Sequence, residues 1–242
     1  MPDWVALSDF PGLPEVSVES AIQEEVSPAQ SISAPDLPVE PAWERAAETG
    51  WFRALTLTVS EMLARPARVF AAMPVEGRPT AAFWFYLILT TLTGWVALGY
   101  QYAVARVNPE ALGKPLLDLM EGKIDLLFLL MAVALPVVNL LSAVLFPLVF
   151  QLGLRVLVDR PLKFSPTFRV YCYAWGTASV LQVLPICGAY AYLGYAIYLT
   201  VSGLRDVHRI PAMAASLAVI LPVLLCCGAM MLLAVGGDVS AG

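Results

Sequence analysis

The sequence has little charge and lacks the residue groupings that most enzymes need. Only 14% of its 242 residues are Asp, Glu, Lys or Arg, and it has a single histidine. A catalytic nucleophile needs a neighbouring base, and a metal site needs a cluster of ligating side chains. The long apolar stretches hold no such groups, and the chain has no Gly-x-Ser-x-Gly, His-Glu-x-x-His or phosphate-binding glycine loop. We therefore expect no enzyme, no metal and no cofactor.

Three further signals are missing. The four cysteines all lie in or beside apolar stretches, where a thiol packs as a small hydrophobe, with acylation or metal binding as the alternative. The amino terminus carries Asp3 and Asp9 where a signal peptide has a basic region before an apolar run. The basic residues form no patch of the kind that binds nucleic acid. We expect no disulfide framework, no cleaved signal peptide and no nucleic-acid partner.

Long uncharged stretches dominate what is present. Residues 170–204 are 35 consecutive residues without a charge. One helix of that length would extend roughly 50 Å at about 1.5 Å per residue, while a bilayer core is only about 30 Å thick. Pro185 lacks an amide hydrogen and Gly188 is free to take a positive φ, so both favour a reversal of the chain. The stretch predicts two short spans joined by a tight turn.

The same reasoning predicts an all-α, polytopic helical membrane protein with five transmembrane helices. Hydrophobic residues make up 59% of the chain and its mean hydropathy is +0.74, far from the averages of soluble domains. A short tail is expected at 236–242. The five-span membrane domain covers 81–235, with spans predicted at about 81–104, 126–149, 168–184, 187–204 and 212–235.

Two segments precede the first span. Residues 1–50 hold seven prolines and ten acidic residues against one basic residue, which predicts a disordered cytoplasmic tail, either a solvated leader or a docking segment for a soluble partner. Residues 51–80 place Trp51, Leu55 and Met62 at helical spacing, with Pro66 expected to end or kink the helix. This amphipathic segment either lies in the membrane interface or packs against the spans.

Small, polar and helix-breaking residues within the spans predict helix contacts and turns. A small residue lets two helices approach closely, and a mid-span amide favours a hydrogen bond between helices. Prolines combined with polar side chains could instead line a small polar pathway, so a small-solute transporter or channel subunit with Pro-broken helices is the alternative function. The candidate packing or turn residues are Asn139, Ala174, Ala178, Gln182, Pro185, Gly188 and Gly194.

The basic residues predict the orientation. If the amino terminus is inside, eleven of the fourteen Lys and Arg residues lie in cytoplasmic segments and three lie on the opposite side. This bias places the amino terminus in the cytoplasm and the carboxyl terminus outside. His208 lies beside Arg205 and Arg209 and is expected to be an edge residue without chemistry. The candidate cytoplasmic face comprises Arg155, Arg160, Lys163, Gly203, Leu204, Arg205, His208 and Arg209.

The segments TVSEMLARPARVF, FRVYCYAW, VLP and YLTVSGLRDVHRIPAMAA, over residues 52–235, resemble the YIP family, the Ypt/Rab-interacting membrane proteins and their prokaryotic relatives. The most specific match is Gly203, Leu204, His208 and Ala212. The chain lacks the Asp-Leu-Tyr-Gly-Pro motif of eukaryotic members, which points to a prokaryotic relative in a bacterial inner membrane and weakens the case for a small-GTPase partner, which is left open.

This resemblance implies a membrane-organising scaffold or adaptor without catalysis, acting through its cytoplasmic face. Membrane lipids and other membrane or membrane-associated proteins are the implied partners, and homo-oligomers are left open.

Overall fold

A computed structural model describes residues 40–74, 76–108, 123–185 and 187–224. The predicted tail up to residue 39, most of the loop between the first two predicted spans, the end of the fifth span and the tail at 236–242 lie outside these residues. Within them every regular element is a helix, so the predicted all-α class is confirmed for this part of the chain.

A 3₁₀ turn at Ala42–Arg45 and a helical turn at Ala46–Thr49 come first, and we call residues 42–49 the amino-terminal segment. The helices are α1 (Trp51–Ala64), α2 (Pro66–Ala72), α3 (Pro79–Val107), α4 (Ile124–Leu157), α5 (Phe164–Ala178), α6 (Gly188–His208) and α7 (Ala212–Leu224). Helix α5 continues as a 3₁₀ helix at Ser179–Val183.

The folded part of the chain begins earlier than the sequence predicts. Trp43 and Glu44, placed in the predicted disordered tail, are each 7% exposed. The Trp43 backbone nitrogen donates to Thr58 Oγ1 at 2.9 Å, and its indole donates to the Ala81 carbonyl at 2.7 Å. An aromatic side chain that packs and finds partners for its polar atoms holds the segment in place. The predicted tail boundary at residue 50 is therefore wrong for residues 42–49.

Helix α1 packs against the rest of the protein along one face, and its place in the membrane interface stays a prediction. Leu55 and Met62 are buried against the rest of the protein, so one face packs on the helices. Phe52 is 69% exposed and Leu63 38% exposed on an adjoining edge. The helix ends at Ala64, because Pro66 fits only the first turn of the next helix.

Two helices in the described ranges are long and apolar enough to cross a membrane. Helix α3 has 29 residues and helix α4 has 34, with mean hydropathies of 1.6 and 2.4 in their most apolar windows. Pro136 and Pro147 lie inside α4 without ending it. Helix α5 with its 3₁₀ extension, helix α6 and helix α7 occupy the positions of the other three predicted spans but do not meet the same criteria in the described residues.

Helix α5 lies at the centre of the bundle. It packs against α3, α4 and α6, and twelve of its fifteen residues are buried. Gly203 of α6 allows one of these contacts, because a Cβ there would lie 2.6 Å from Val170 Cγ1. Small residues at such positions let helices approach closely in a membrane protein.

Side-chain pairs show how the helices run. Thr91 meets Asn139, and Tyr102 meets Asp125, so α3 and α4 are antiparallel. Thr167 meets Gln151 of α4 and His208 of α6, so α5 is antiparallel to both. The starts of α3, α5 and α7 and the ends of α4 and α6 therefore lie at one end of the bundle, which we call the basic end.

Candidate functional site at the basic end

A buried ion pair ties the amino-terminal segment to the central helix. Arg169 Nη2 lies 2.5 Å from Glu44 Oε1, and the two side chains are 0% and 1% exposed. Tyr173, one turn along α5, donates its hydroxyl to the same carboxylate oxygen at 3.0 Å. Arg169 Nη1 also donates to the Pro74 carbonyl. These contacts join three separate parts of the chain: the amino-terminal segment, the loop before α3, and α5.

Gly77 covers the guanidinium of this pair. A Cβ at residue 77 would lie 2.0 Å from Arg169 Cζ, so only glycine lets the loop pass over the arginine at this distance. Glu44 Oε2 and Arg169 Nε are buried and have no hydrogen-bond partner in the described part of the chain. The stability of the fold is therefore sensitive to substitution of either residue, since removal of one charge leaves the other buried and unpaired.

A second polar cluster joins α4, α5 and α6. Thr167 donates to Gln151 Oε1 at 2.6 Å, and its oxygen lies 2.8 Å from His208 Nε2. Because the threonine hydroxyl has one hydrogen and gives it to Gln151, His208 Nε2 is the donor in the second contact. The Gln151 amide nitrogen donates to the Leu162 carbonyl at 2.8 Å. All three side chains of this cluster are buried.

His208 is neutral in this setting. Burial, followed by the nearby charge of Arg160, lowers the pKa of His208 from its usual 6.5 to about 4. Arg160 in turn donates to the carbonyl oxygens of His208 and Arg209 at the end of α6. A cation that binds the last carbonyls of a helix satisfies acceptors that lack intrahelical partners.

Exposed charges surround these buried clusters. Lys163 pairs with Glu76 at 3.0 Å, and its hydrogen bond and charge lower the pKa of Glu76. Arg205 pairs with Asp206 at 2.8 Å. Arg155, Arg160 and Arg209 are also exposed. Five basic residues of the predicted cytoplasmic face thus lie together at the surface of the basic end.

The other three predicted face residues lie inside the protein. Gly203 and Leu204 are buried, Gly203 against Val170 of α5 and Phe70 of α2, and His208 is 8% exposed. His208 is thus a packed, hydrogen-bonded residue and not an exposed edge residue.

The predicted span residues fall into two groups. Asn139 Nδ2 donates to Thr91 Oγ1 at 3.2 Å, and Ala174 and Ala178 are fully buried in α5. Gln182, Pro185 and Gly188 line a cavity at the opposite end of the bundle. Gly194 differs from its expected role in helix packing, because nothing lies within 4 Å of a Cβ built on it.

Sequence reasoning missed the buried partners Glu44, Gln151, Thr167 and Arg169. One signal was available: Arg169 immediately precedes the uncharged run 170–204, where a span entry makes a buried charge conspicuous. The position of Glu44 gave a weaker signal of burial, since it follows the large apolar side chain of Trp43 in an otherwise polar tail. Nothing local to either residue identifies the other as its partner.

The basic end binds and positions chain segments but shows no reactive grouping. Among the described ranges no group of three or more His, Cys, Asp or Glu could hold a metal ion. The charged side chains inside the bundle neutralise one another, and His208 Nε2 donates to Thr167, so in this arrangement it does not act as a base toward that hydroxyl. The arrangement is that of a helical bundle with a polar, basic cap at one end.

A family model described as the Yip1 domain matches residues 60–233, nearly three quarters of the chain. No curated protein and no solved structure matches the chain. The chain therefore belongs to the Yip1 domain family, and the resemblance stated from its sequence is confirmed. The matched range contains Arg169 and the Gln151, Thr167 and His208 cluster, whereas Glu44 lies before it.

Proposed function

We propose that this protein is a non-catalytic scaffold or adaptor of a bacterial inner membrane. In this proposal it crosses the membrane five times, with the amino terminus and the basic end in the cytoplasm, and it binds other membrane or membrane-associated proteins there. The observation that carries the proposal is the concentration of exposed cations at the basic end, where the buried Glu44 and Arg169 pair holds the underlying segments together. A rigid surface of this kind loses little conformational entropy when a partner binds.

The interaction surface is tested by proximity labelling from a ligase fused to the amino terminus. Arg155→Gln with Arg209→Gln removes two exposed charges, while Arg106→Gln removes an exposed charge from the other end of the bundle. We expect the double variant to lose specific labelled proteins at unchanged abundance, and Arg106→Gln to keep them. Identical labelling for the double variant and wild type would exclude the basic end as the binding surface.

The orientation is tested with single cysteines in a cysteine-free background. Val107 and Val156 are 87% and 77% exposed and stand at opposite ends of the bundle. A thiol reagent that cannot cross the membrane should label Val107→Cys in intact spheroplasts, and Val156→Cys only after the membrane is opened. The reverse pattern would place the basic end outside.

A second candidate function, a small-solute transporter or channel subunit, is favoured by two cavities at the end opposite the basic end. They measure about 330 and 480 Å³, and Gln182 lines both. Selective solute uptake into liposomes that contain the purified protein, abolished by Gln182→Leu, would support this function. Uptake no greater than in empty liposomes would exclude it for the solutes tested.

A further inference from the structure

The two cavities opposite the basic end adjoin one another. The cavity of about 330 Å³ lies mainly between α3 and α4, and the cavity of about 480 Å³ lies between α3, the 3₁₀ extension of α5 and the start of α6. Ala97, Gln101 and Gln182 line both of them. We call the combined space the amide cleft. Each volume falls within the range of about 300–1,000 Å³ that ligand sites occupy.

The walls of the amide cleft are uncharged in the described part of the chain. Leu98, Leu135 and Val138 form an apolar channel in the first cavity. Tyr100 and Tyr192 border the second cavity, close to the turn at Pro185. The cleft therefore runs from an apolar channel within the bundle to a more polar mouth at its end.

Two unpartnered amides stand where the cavities meet. Gln101 is exposed and Gln182 is half-buried, and neither side chain bonds any other described residue. By contrast, the Gln151 amide at the basic end bonds the Leu162 carbonyl and Thr167. An amide that faces lipid below the headgroups gains by bonding an acceptor there, because water is scarce at that level. These donors call for an acceptor from outside the described chain.

The depth of the two amides identifies that acceptor. Gln101 and Gln182 stand two or three residues inside the predicted ends of their spans, about 5 Å at helical rise. At this level, just below the headgroups and beside the exposed Tyr100, the ester carbonyls of a membrane lipid join its acyl chains to glycerol. An ester carbonyl accepts hydrogen bonds and is attached to an apolar chain, so it matches both parts of the cleft.

We propose that the amide cleft binds one ester-linked membrane lipid. An acyl chain lies in the channel beside Ala97 and Leu135, and the amides of Gln101 and Gln182 donate to the ester carbonyls. The glycerol end lies in the mouth near Tyr192. Because no charged residue lines the described cleft, the site does not select the headgroup, and anionic and zwitterionic lipids bind alike. This inference rests on the membrane spans of the proposed function but not on the scaffold role.

The test uses the full chain in nanodiscs with a phospholipid that carries a diazirine on its acyl chain. After irradiation, peptides with Leu98 and Leu135 should carry at least threefold more adduct than the peptide with Leu141 and Leu145, which are 55% and 57% exposed on α4. A probe with the same chain and headgroup but an ether in place of the ester should lose this excess. Equal adducts in the cleft and on the outer face, or equal excess for both probes, would overturn the proposal.

Variants add a second, independent measurement. Ala97→Trp fills the cleft, and Val96→Trp places the same side chain at the adjacent exposed position as a control. Only Ala97→Trp should abolish the excess labelling by the ester probe. Gln101→Leu with Gln182→Leu should make the ester and ether probes label alike. Excess labelling that survives both changes would refute the site, and displacement of the probe by a small uncharged solute would assign the cleft to transport.

Discussion

Removing either member of the buried pair should destabilise the protein far more than removing both. In Arg169→Met, the Glu44 carboxylate stays buried and keeps only the hydrogen bond from Tyr173. In Glu44→Leu, the guanidinium stays buried and, among the described residues, keeps the Pro74 carbonyl as its one partner. Breaking a buried ion pair from one side costs about 3–5 kcal/mol, while replacing both members by apolar residues is often neutral or stabilising.

The decisive comparison is between the unfolding free energy of the double variant and that of each single variant. We expect each single change to lower the free energy of unfolding by about 3–5 kcal/mol, and Glu44→Leu with Arg169→Met together to lower it by at least about 2 kcal/mol less than either alone. Lys163→Met is the matched control. It removes an ion pair whose side chains are 64% and 84% exposed, and exposed pairs contribute little.

The measurement is equilibrium unfolding of the purified full-length variants in one detergent, where reversibility can be checked by refolding. Limited proteolysis reports separately on the amino-terminal segment, which should be cut faster in both single variants because the pair holds it to α5. If each single variant were as stable as the Lys163→Met control, the pair would contribute nothing. If the single effects simply added in the double variant, the two charges would not be coupled.

Three further predictions concern α6 and the amino terminus. Gly203→Ala should cost about 1–3 kcal/mol through overpacking, whereas Gly194→Ala, which faces open space, should be neutral or stabilise α6 by up to about 1 kcal/mol; equal unfolding free energies would contradict this. Deleting residues 1–39 should leave the melting temperature unchanged, while deleting residues 1–48 should lower it, because only the longer deletion removes the buried carboxylate. The unfolded chain protonates His208 at a higher pH than the folded one, so stability should fall as pH drops from 6.5 to about 4, and less steeply in His208→Gln; parallel curves would refute the buried neutral histidine.

The sequence predicted those features that depend on local chemistry. Proline geometry placed the break between α1 and α2 at Pro66, and the start of α6 coincides with Gly188 in the expected turn. The all-α class followed from long uncharged runs, whose backbone hydrogen bonds a helix satisfies within itself in lipid. Each of these conclusions needs only a residue and its near neighbours.

The site depended on partners that are distant in the chain. Glu44 and Arg169 are 125 residues apart, and Thr167 and His208 are 41 apart. Hydrophobic periodicity predicts which face of a helix is buried, but it does not say which side chain from another element meets it. The prediction of disorder for residues 1–50 rested on their average composition, which gives no weight to a single residue such as Trp43. The packing of Trp43 brings the neighbouring Glu44 carboxylate into the core.

Arg169 has two roles that act at different stages. Under the proposed orientation it is one of the basic residues that hold the connection between α4 and α5 in the cytoplasm during insertion, and this rule counts Lys and Arg while acids contribute little. Glu44 therefore does not cancel its effect on topology, although it does neutralise the arginine once the protein folds. Removing Glu44 should then affect stability alone, whereas removing Arg169 should affect stability and also weaken the topological bias. Because ten basic residues remain on that side, the bias survives and the stability loss is the effect that an experiment should detect.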